Sequence, residues 1–350
     1  MGSRGIAISL FSGAGGLDLG AEKAGYSVRA SVEIDRDAAA TLEKNFSTLA
    51  SPVIQEDILQ VSSEQILAAS GLASHERPEL LIGGPPCTPF SKSGFWLDWK
   101  RAGKDPNASL LQEYTRVLRD LQPDMFVLEN VYALTYNNKA SKPHYDRLMQ
   151  EIGEAGYVPV SKVLNAADYG VPQARPRLFV IGRHKDKPLP VHPAPTHGGA
   201  WERRRSGLEG SPYRTAGEAL SSVVSEPEPG ETVAGRYGHL LPDIPEGDNY
   251  LFYTAKRNHP SPEFEWRKKY WSFLLKLDRG KPSPTIQAQP GPYVGPFHWK
   301  NRRLRVPELK ALFTFPQEFE LVGSRNSAQA QMGNSVPPDL AQQVIEAMHR

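Results

Sequence analysis

The chain has 350 residues, 39% of them hydrophobic and 23% charged, which is enough for one large or two medium domains around a substantial core. It has no run of eighteen apolar residues, and its start, MGSRGIAISLF, goes straight into a strand pattern; neither a transmembrane helix nor a secretory leader is expected. A single cysteine, Cys87, excludes an internal disulfide and a cysteine-rich zinc site, so a cytoplasmic protein without a metal is expected.

Through residue 182, short apolar runs alternate with amphipathic stretches. Strands are predicted at 5–11 (GIAISLF), 28–34 (VRASVEI), 79–83 (ELLIG), 124–130 (DMFVLEN) and 177–182 (RLFVIG). Helices are predicted over 17–24, 38–46, 63–69, 110–121 and 144–155. This rhythm predicts the α/β class, with a doubly wound, mainly parallel sheet. The first strand runs into FSGAGGLDLG (11–20), where Gly13, Gly15 and Gly16 allow a tight turn and close approach of the backbone, Ala14 included, to a ligand. The spacing is not the dinucleotide G-x-G-x-x-G. Glu33, followed by Ile34, ends the second strand where a carboxylate reaches ribose hydroxyls, and Asp57, followed by Ile58, is placed to accept from an adenine amino group. Together these residues favour a nucleoside-containing ligand without a pyrophosphate. Each taken singly is a common turn or strand-end acid.

The stretch GGPPCTPFS (83–91) follows the third strand. Pro85, Pro86 and Pro89 fix φ and remove donors, so Cys87 is expected on a stiff loop just past a strand end, either reactive or a buried thiol. Residues 88–109 have little apolar period and read as a long functional or disordered loop. From about 186 onward prolines and glycines crowd in, with basic and aromatic residues interleaved, as in EFEWRKKYWSF. Arg183 to Arg305 carries 20 Lys/Arg against 13 Asp/Glu, a balance of +7 that leaves −5 for the rest of a chain whose net charge is +2. A basic region on an acidic body suggests a polyanionic partner. Helical pattern returns at 306–313 and 337–349. The predicted organisation is a catalytic domain over 1–185, completed by 305–350, with an irregular domain inserted over 186–304.

Five segments, FSGAGGLDLG, GGPPCTPFS, LENV, QARPRLFVIG and QMGNSVPP, resemble in order the motifs of the cytosine-C5 DNA methyltransferases. That resemblance implies a Rossmann-like catalytic domain, S-adenosylmethionine as cofactor and cytosine in duplex DNA as substrate. It assigns the nucleophile to Cys87, whose thiolate would add to carbon 6 of the ring and make carbon 5 nucleophilic. Glu129 matches the carboxylic acid at N3, with a raised pKa. Arg175 and Arg177, at i and i+2 on one face of an extended segment, match arginines that bind the target base. Gln173 and Asn130 read as supports. Phe11, Pro86, Leu110, Asn334, Ser335 and Val336 match positions around the cofactor. Ser91, Lys92, Lys100 and Arg101 in the loop after Cys87, and Arg203, Arg204, Arg205, Arg267, Lys268 and Lys269 in the inserted region, are the expected DNA contacts. A flipped base is required, since carbon 5 is inaccessible inside a duplex.

The compact length resembles bacterial modification enzymes that act beside a partner nuclease, as a cytoplasmic monomer associated with the nucleoid when on DNA. Two other readings remain. A tRNA-directed member of the family would carry Cys-Phe-Thr in place of this Cys-Thr-Pro. A non-catalytic relative would be expected to have lost Cys87, Glu129, Arg175 or Arg177.

Overall fold

The computed structural model describes residues 4–46, 52–86, 110–199 and 210–349. Seven strands form its central sheet: β1 (Ile6–Leu10), β2 (Ser27–Val32), β3 (Val53–Ile54), β4 (Leu80–Gly83), β5 (Met125–Val131), β6 (Tyr157–Asn165) and β8 (Pro176–His184). Their order is β3-β2-β1-β4-β5-β8-β6. The first five pair in parallel, while β8 runs antiparallel to both β5 and β6. The mainly parallel doubly wound sheet is therefore present, with an antiparallel pair at one side. Two small two-stranded pairings lie outside it: β7 (Gln173–Ala174) with β11 (Ser283–Pro284), and β9 (His197–Gly198) with β10 (Ser211–Pro212).

Alternation along the strands separates two cores. Ile8, Leu10, Leu81, Phe126 and Leu128 face the helices Ser63–Ser70, Leu110–Leu121 and Lys142–Glu154. Ala7, Leu80, Ile82 and Val127 face Gly16–Lys23 and Pro338–Ala347, so the first and last helices cover the same side. Those two helices approach closely, and a Cβ on Gly20 would lie 2.3 Å from that of Ala341. A third cluster joins the helices Arg36–Phe46, Val306–Leu312 and Arg325–Asn334 to Ala216, Leu277 and Ile286. A fourth, built on Val233, Leu241, Tyr250, Tyr253, Phe273 and Phe297, belongs to the Pro- and Gly-rich region alone. Among the described residues of 186–304, regular structure is limited to two-residue strands, the short helix Ala216–Leu220 and single turns.

Two of the longer elements, β6 and the helix Arg325–Asn334, have no counterpart in the sequence expectation. β6 is an edge strand whose side chains are mostly half-buried or exposed, so it shows no apolar run. The helix Arg325–Asn334 buries Gln329 and Gln331 rather than an apolar stripe. Gln329 donates to Gln287 O at 2.7 Å and Gln331 to Val322 O at 2.8 Å. Among the described residues no helix is long and apolar enough to cross a membrane.

Candidate active site

The winding of the sheet reverses between β1 and β4: β2 follows on one side and β5 on the other. Ligands bind beyond the carboxyl ends of strands at such a point. β1 leads into Phe11–Gly16, and β4 into Gly84, Pro85 and Pro86. Cys87 lies outside the described residues, as do Ser91, Lys92, Lys100 and Arg101 of the expected loop and Arg203, Arg204 and Arg205 of the inserted region.

The glycine turn has its expected form. Phe11, Gly13 and Gly15 take φ of +53, +56 and +81°, and Gly15 caps the helix Gly16–Lys23. At Gly16 an added Cβ would lie 2.1 Å from Val336 O, so the QMGNSVPP segment rests on this turn through backbone contact that only glycine allows. Ala14 and Val336 are buried, Ser335 is buried with its hydroxyl donated to Gln331 O at 2.9 Å, and Asn334 is exposed. Glu33 Oε2 accepts from Gly13 N at 2.7 Å and Oε1 from Asp35 N at 2.8 Å, so the carboxylate braces the turn. Burial pushes its pKa up, and the two N–H groups work against that.

Around this turn, Phe11 and Leu110 are half-buried, Pro86 is exposed and Ile34 is 62% exposed. Asp57 Oδ1 accepts from Leu59 N at 3.0 Å and caps the turn Ile58–Gln60. The Ile58 side chain is buried in the core under the sheet.

Asp18, which no sequence pattern singles out, is fully buried beneath the turn. Its Oδ2 accepts from Ser9 Oγ at 3.0 Å and its Oδ1 from Ser31 Oγ at 2.9 Å, while Ser12 Oγ donates to Ser9 Oγ at 2.8 Å. Burial pushes its pKa up to about 6, against the pull of the Ser31 and Ser9 hydroxyls. The only hint in the sequence is a serine at positions 9, 12 and 31, each beside or within a strand.

Glu129, on β5, is 8% exposed. The register pairs Glu129 with Phe179 and Val131 with Arg177, which sets Glu129 and Arg177 as diagonal neighbours on one face. Arg177 Nε lies 3.1 Å from Glu129 Oε1. A Cβ on Gly84 would lie 3.4 Å from Glu129 Oε2, so the carboxylate overhangs the loop three residues before Cys87. Asn130 Nδ2 donates to Pro85 O at 3.0 Å and ties the same loop to β5. Burial raises the Glu129 pKa; Arg177 and then Arg175 pull it back without cancelling the rise.

The two arginines do not act as a matched pair. Arg175 falls between β7, which pairs with β11, and β8 of the main sheet, so the extended segment is broken there. Its guanidinium, 1% exposed, donates to Ile286 O at 3.3 Å, Gly333 O at 2.6 Å and Ser335 O at 2.9 Å, with Phe313 5.0 Å away. Those bonds tie Nη1 and Nη2 to backbone carbonyls, while the buried Nε has no hydrogen-bond partner among the described residues. Gln173 likewise bridges segments, donating to Leu312 O and accepting from Ile286 N, both at 3.3 Å. Arg267, Lys268 and Lys269 are exposed on one turn of the inserted region. No group of His, Cys, Asp or Glu that could hold a metal ion occurs among the described residues.

The family model of the C-5 cytosine-specific DNA methylases matches residues 6–350. The chain belongs to that family. It is accordingly a DNA cytosine-5 methyltransferase. The methylase is 45% identical to the Type II methyltransferase M.SacI of Streptomyces achromogenes over 97% of this chain and 92% of that one. Identity to the Type II methyltransferase M1.HphI of Haemophilus parahaemolyticus is 32%, over 97% and 86%. DNMT2 of Spodoptera frugiperda shares the fold of the methylase, with a TM-score of 0.64, 16% identity and 99% of each chain covered.

Proposed function

We propose that the methylase transfers a methyl group from S-adenosylmethionine to carbon 5 of a cytosine flipped out of a specific duplex sequence, through a covalent bond between Cys87 Sγ and carbon 6. The observation that carries this reading is Glu129: a buried carboxylate with a raised pKa, 3.1 Å from Arg177 and against the loop that leads to the single cysteine. A carboxyl that keeps its proton can donate to N3 as negative charge builds on the ring. Arg177 holds that carboxyl in place and adds positive charge, which favours a nearby thiolate. Once the Cys87 thiolate has added to carbon 6, the electron pair of the 5,6 double bond becomes available at carbon 5 for attack on the methyl group. Loss of the carbon 5 proton to solvent and departure of the thiolate then restore the ring.

S-adenosylmethionine supplies the electrophilic methyl group. The residues of the switch point fit it. Gly13 has open space beside it, Phe11 and Ile34 offer apolar surface, and Glu33 keeps unused lone pairs. Asp57, Pro86, Leu110, Asn334, Ser335 and Val336 complete the proposed lining, with Ala14, Gly15 and Gly16 contributing backbone. Arg175 acts in this scheme as a positioning residue for the 333–335 segment.

The further parts of the proposal are a catalytic domain of 1–185 with 305–350 and a target-recognition domain over 186–304. A monomer in the bacterial cytoplasm would take the duplex between them. The Type II relatives favour a role beside a cognate restriction endonuclease. The test is duplex DNA with 5-fluorocytosine, incubated with the protein and S-adenosylmethionine. Fluorine at carbon 5 blocks proton loss, so a denaturation-resistant adduct should form and vanish in Cys87→Ala. An adduct with substituted tRNA but not with DNA would overturn the substrate, and no adduct with either would overturn the mechanism.

A further inference from the structure

Outside the candidate active site, one surface brings aromatic rings and cations together on a backbone held from beneath. The residues EFEWRKKYW (263–271) fold there into a turn on which Arg267, Lys268 and Lys269 are exposed, with Tyr270 61% and Trp271 60% exposed. Tyr250, 1% exposed, donates its hydroxyl to Lys269 O at 2.9 Å and accepts from Lys269 N at 3.2 Å. One phenol thus fixes both backbone groups of Lys269. Asn249, 3% exposed, donates from Nδ2 to Trp271 O at 2.8 Å. The Tyr250 ring is in turn set edge-on against Phe264 and Phe273. The turn is therefore a rigid presentation of groups that would otherwise be better hidden.

Its cations differ in what engages them. Lys256 Nζ sits 4.5 Å over the Trp266 ring, Lys268 lies 3.5 Å from Glu265, and Lys269 lies 5.6 Å from the Phe273 ring. Arg267, at a left-handed φ of +58°, lies 5.8 Å from the Trp266 ring and makes no hydrogen bond or ion pair among the described residues. A concave surface lined by Tyr250, Leu251, Trp266, Arg267, Lys269 and Trp271 lies beside it. Positive charge alone would suit any polyanion. A pre-ordered turn that offers one free planar fork of donors, next to an apolar ring, suits a base edge.

We propose that the turn Trp266–Trp271 is the sequence-reading element, in which Arg267 donates bidentately to O6 and N7 of a guanine in the major groove. Trp271 packs against the neighbouring base pair, and Lys268 and Lys269 contact phosphates. This deepens the reading of the chain as a methyltransferase of duplex DNA and rests on it. A required guanine in the recognition sequence follows directly.

The test is methylation of a randomised duplex library by wild type, Arg267→Ala and Arg267→Lys, read by bisulfite sequencing. Wild type should require guanine at one position, and both variants should lose roughly 5- to 100-fold of that preference at that position alone. Lys268→Ala should weaken binding to all sequences alike and lower the salt slope by about 1. Tyr250→Phe keeps the ring but frees Lys269, and should relax several positions at once. Unchanged preference in Arg267→Ala, or a loss spread uniformly over all sequences, overturns the assignment. A wild-type protein that methylates no duplex overturns the underlying reading and the assignment with it.

Discussion

Replacing Asp18 by Asn tests the electrostatics beneath the glycine turn. The carboxyl is fully buried, and its pKa is raised from the ordinary 3.8 to about 6 because burial disfavours the charged form. That rise corresponds to about 3 kcal/mol. The sign follows from proton uptake: between these values the folded protein holds a proton that the unfolded chain has lost, so stability falls as pH rises. Well below the unfolded value of 3.8 the group is neutral in both states and the penalty is absent; well above the folded pKa it is present in full. About half of it develops between pH 5 and pH 8. An amide has no charge to bury, and it can accept from one of Ser9 and Ser31 while donating to the other. Urea unfolding of wild type and Asp18→Asn across pH 5 to 8 isolates the effect, since every other titrating group cancels in the difference. The gap should shift in favour of Asn by that amount as pH rises. A gap that stays constant, or a carbon-13 titration of Asp18 near 4, would refute the reasoning.

Two further substitutions probe how the C-terminal segment is held. Gly16→Ala drives a Cβ to within 2.1 Å of Val336 O, so the turn and the segment must part. The expected cost is about 1–3 kcal/mol of stability, with at least a tenfold loss of S-adenosylmethionine affinity by calorimetry; unchanged affinity would separate the turn from the cofactor site. Arg175→Met leaves the carbonyls of Ile286, Gly333 and Ser335 without their donor, at about 1–3 kcal/mol for each one left unpaired. The urea midpoint should drop sharply, with Arg175→Lys intermediate, and an unchanged midpoint in Arg175→Met would remove the residue from its positioning role.

The parts of the fold that were legible in the sequence are those that bury apolar side chains in a regular period. β1, β4, β5 and the helix Leu110–Leu121 fall within two residues of expectation because their neighbours are all core. β6 and the helix Arg325–Asn334 were not legible, since one lies at an edge and the other is held by glutamine hydrogen bonds. At the site, Glu129 and Arg177 meet because a strand-end acid and a strand-start arginine face each other across an antiparallel pair. The common face expected of Arg175 and Arg177 assumes an unbroken strand, whereas the chain changes sheets at Arg175. Asp18 is not legible in the sequence because its two hydroxyl partners, Ser9 and Ser31, lie in different strands that no local pattern connects.

The covering of the first helix by the last has a consequence for how the protein is made. Leu17 and Ala21 emerge from the ribosome roughly 320 residues before their partners Leu340, Val344 and Ile345. At about 5–20 residues per second that interval is roughly 15 to 60 s, during which one face of the nascent sheet stays bare. The backbone of Val336, which seats on Gly16, arrives equally late. A chain halted before the helix Pro338–Ala347 therefore exposes a sticky apolar surface, which marks it for chaperones and proteases. Quality control is thus coupled to translation: the region around the glycine turn is completed only in molecules that have been translated through that helix.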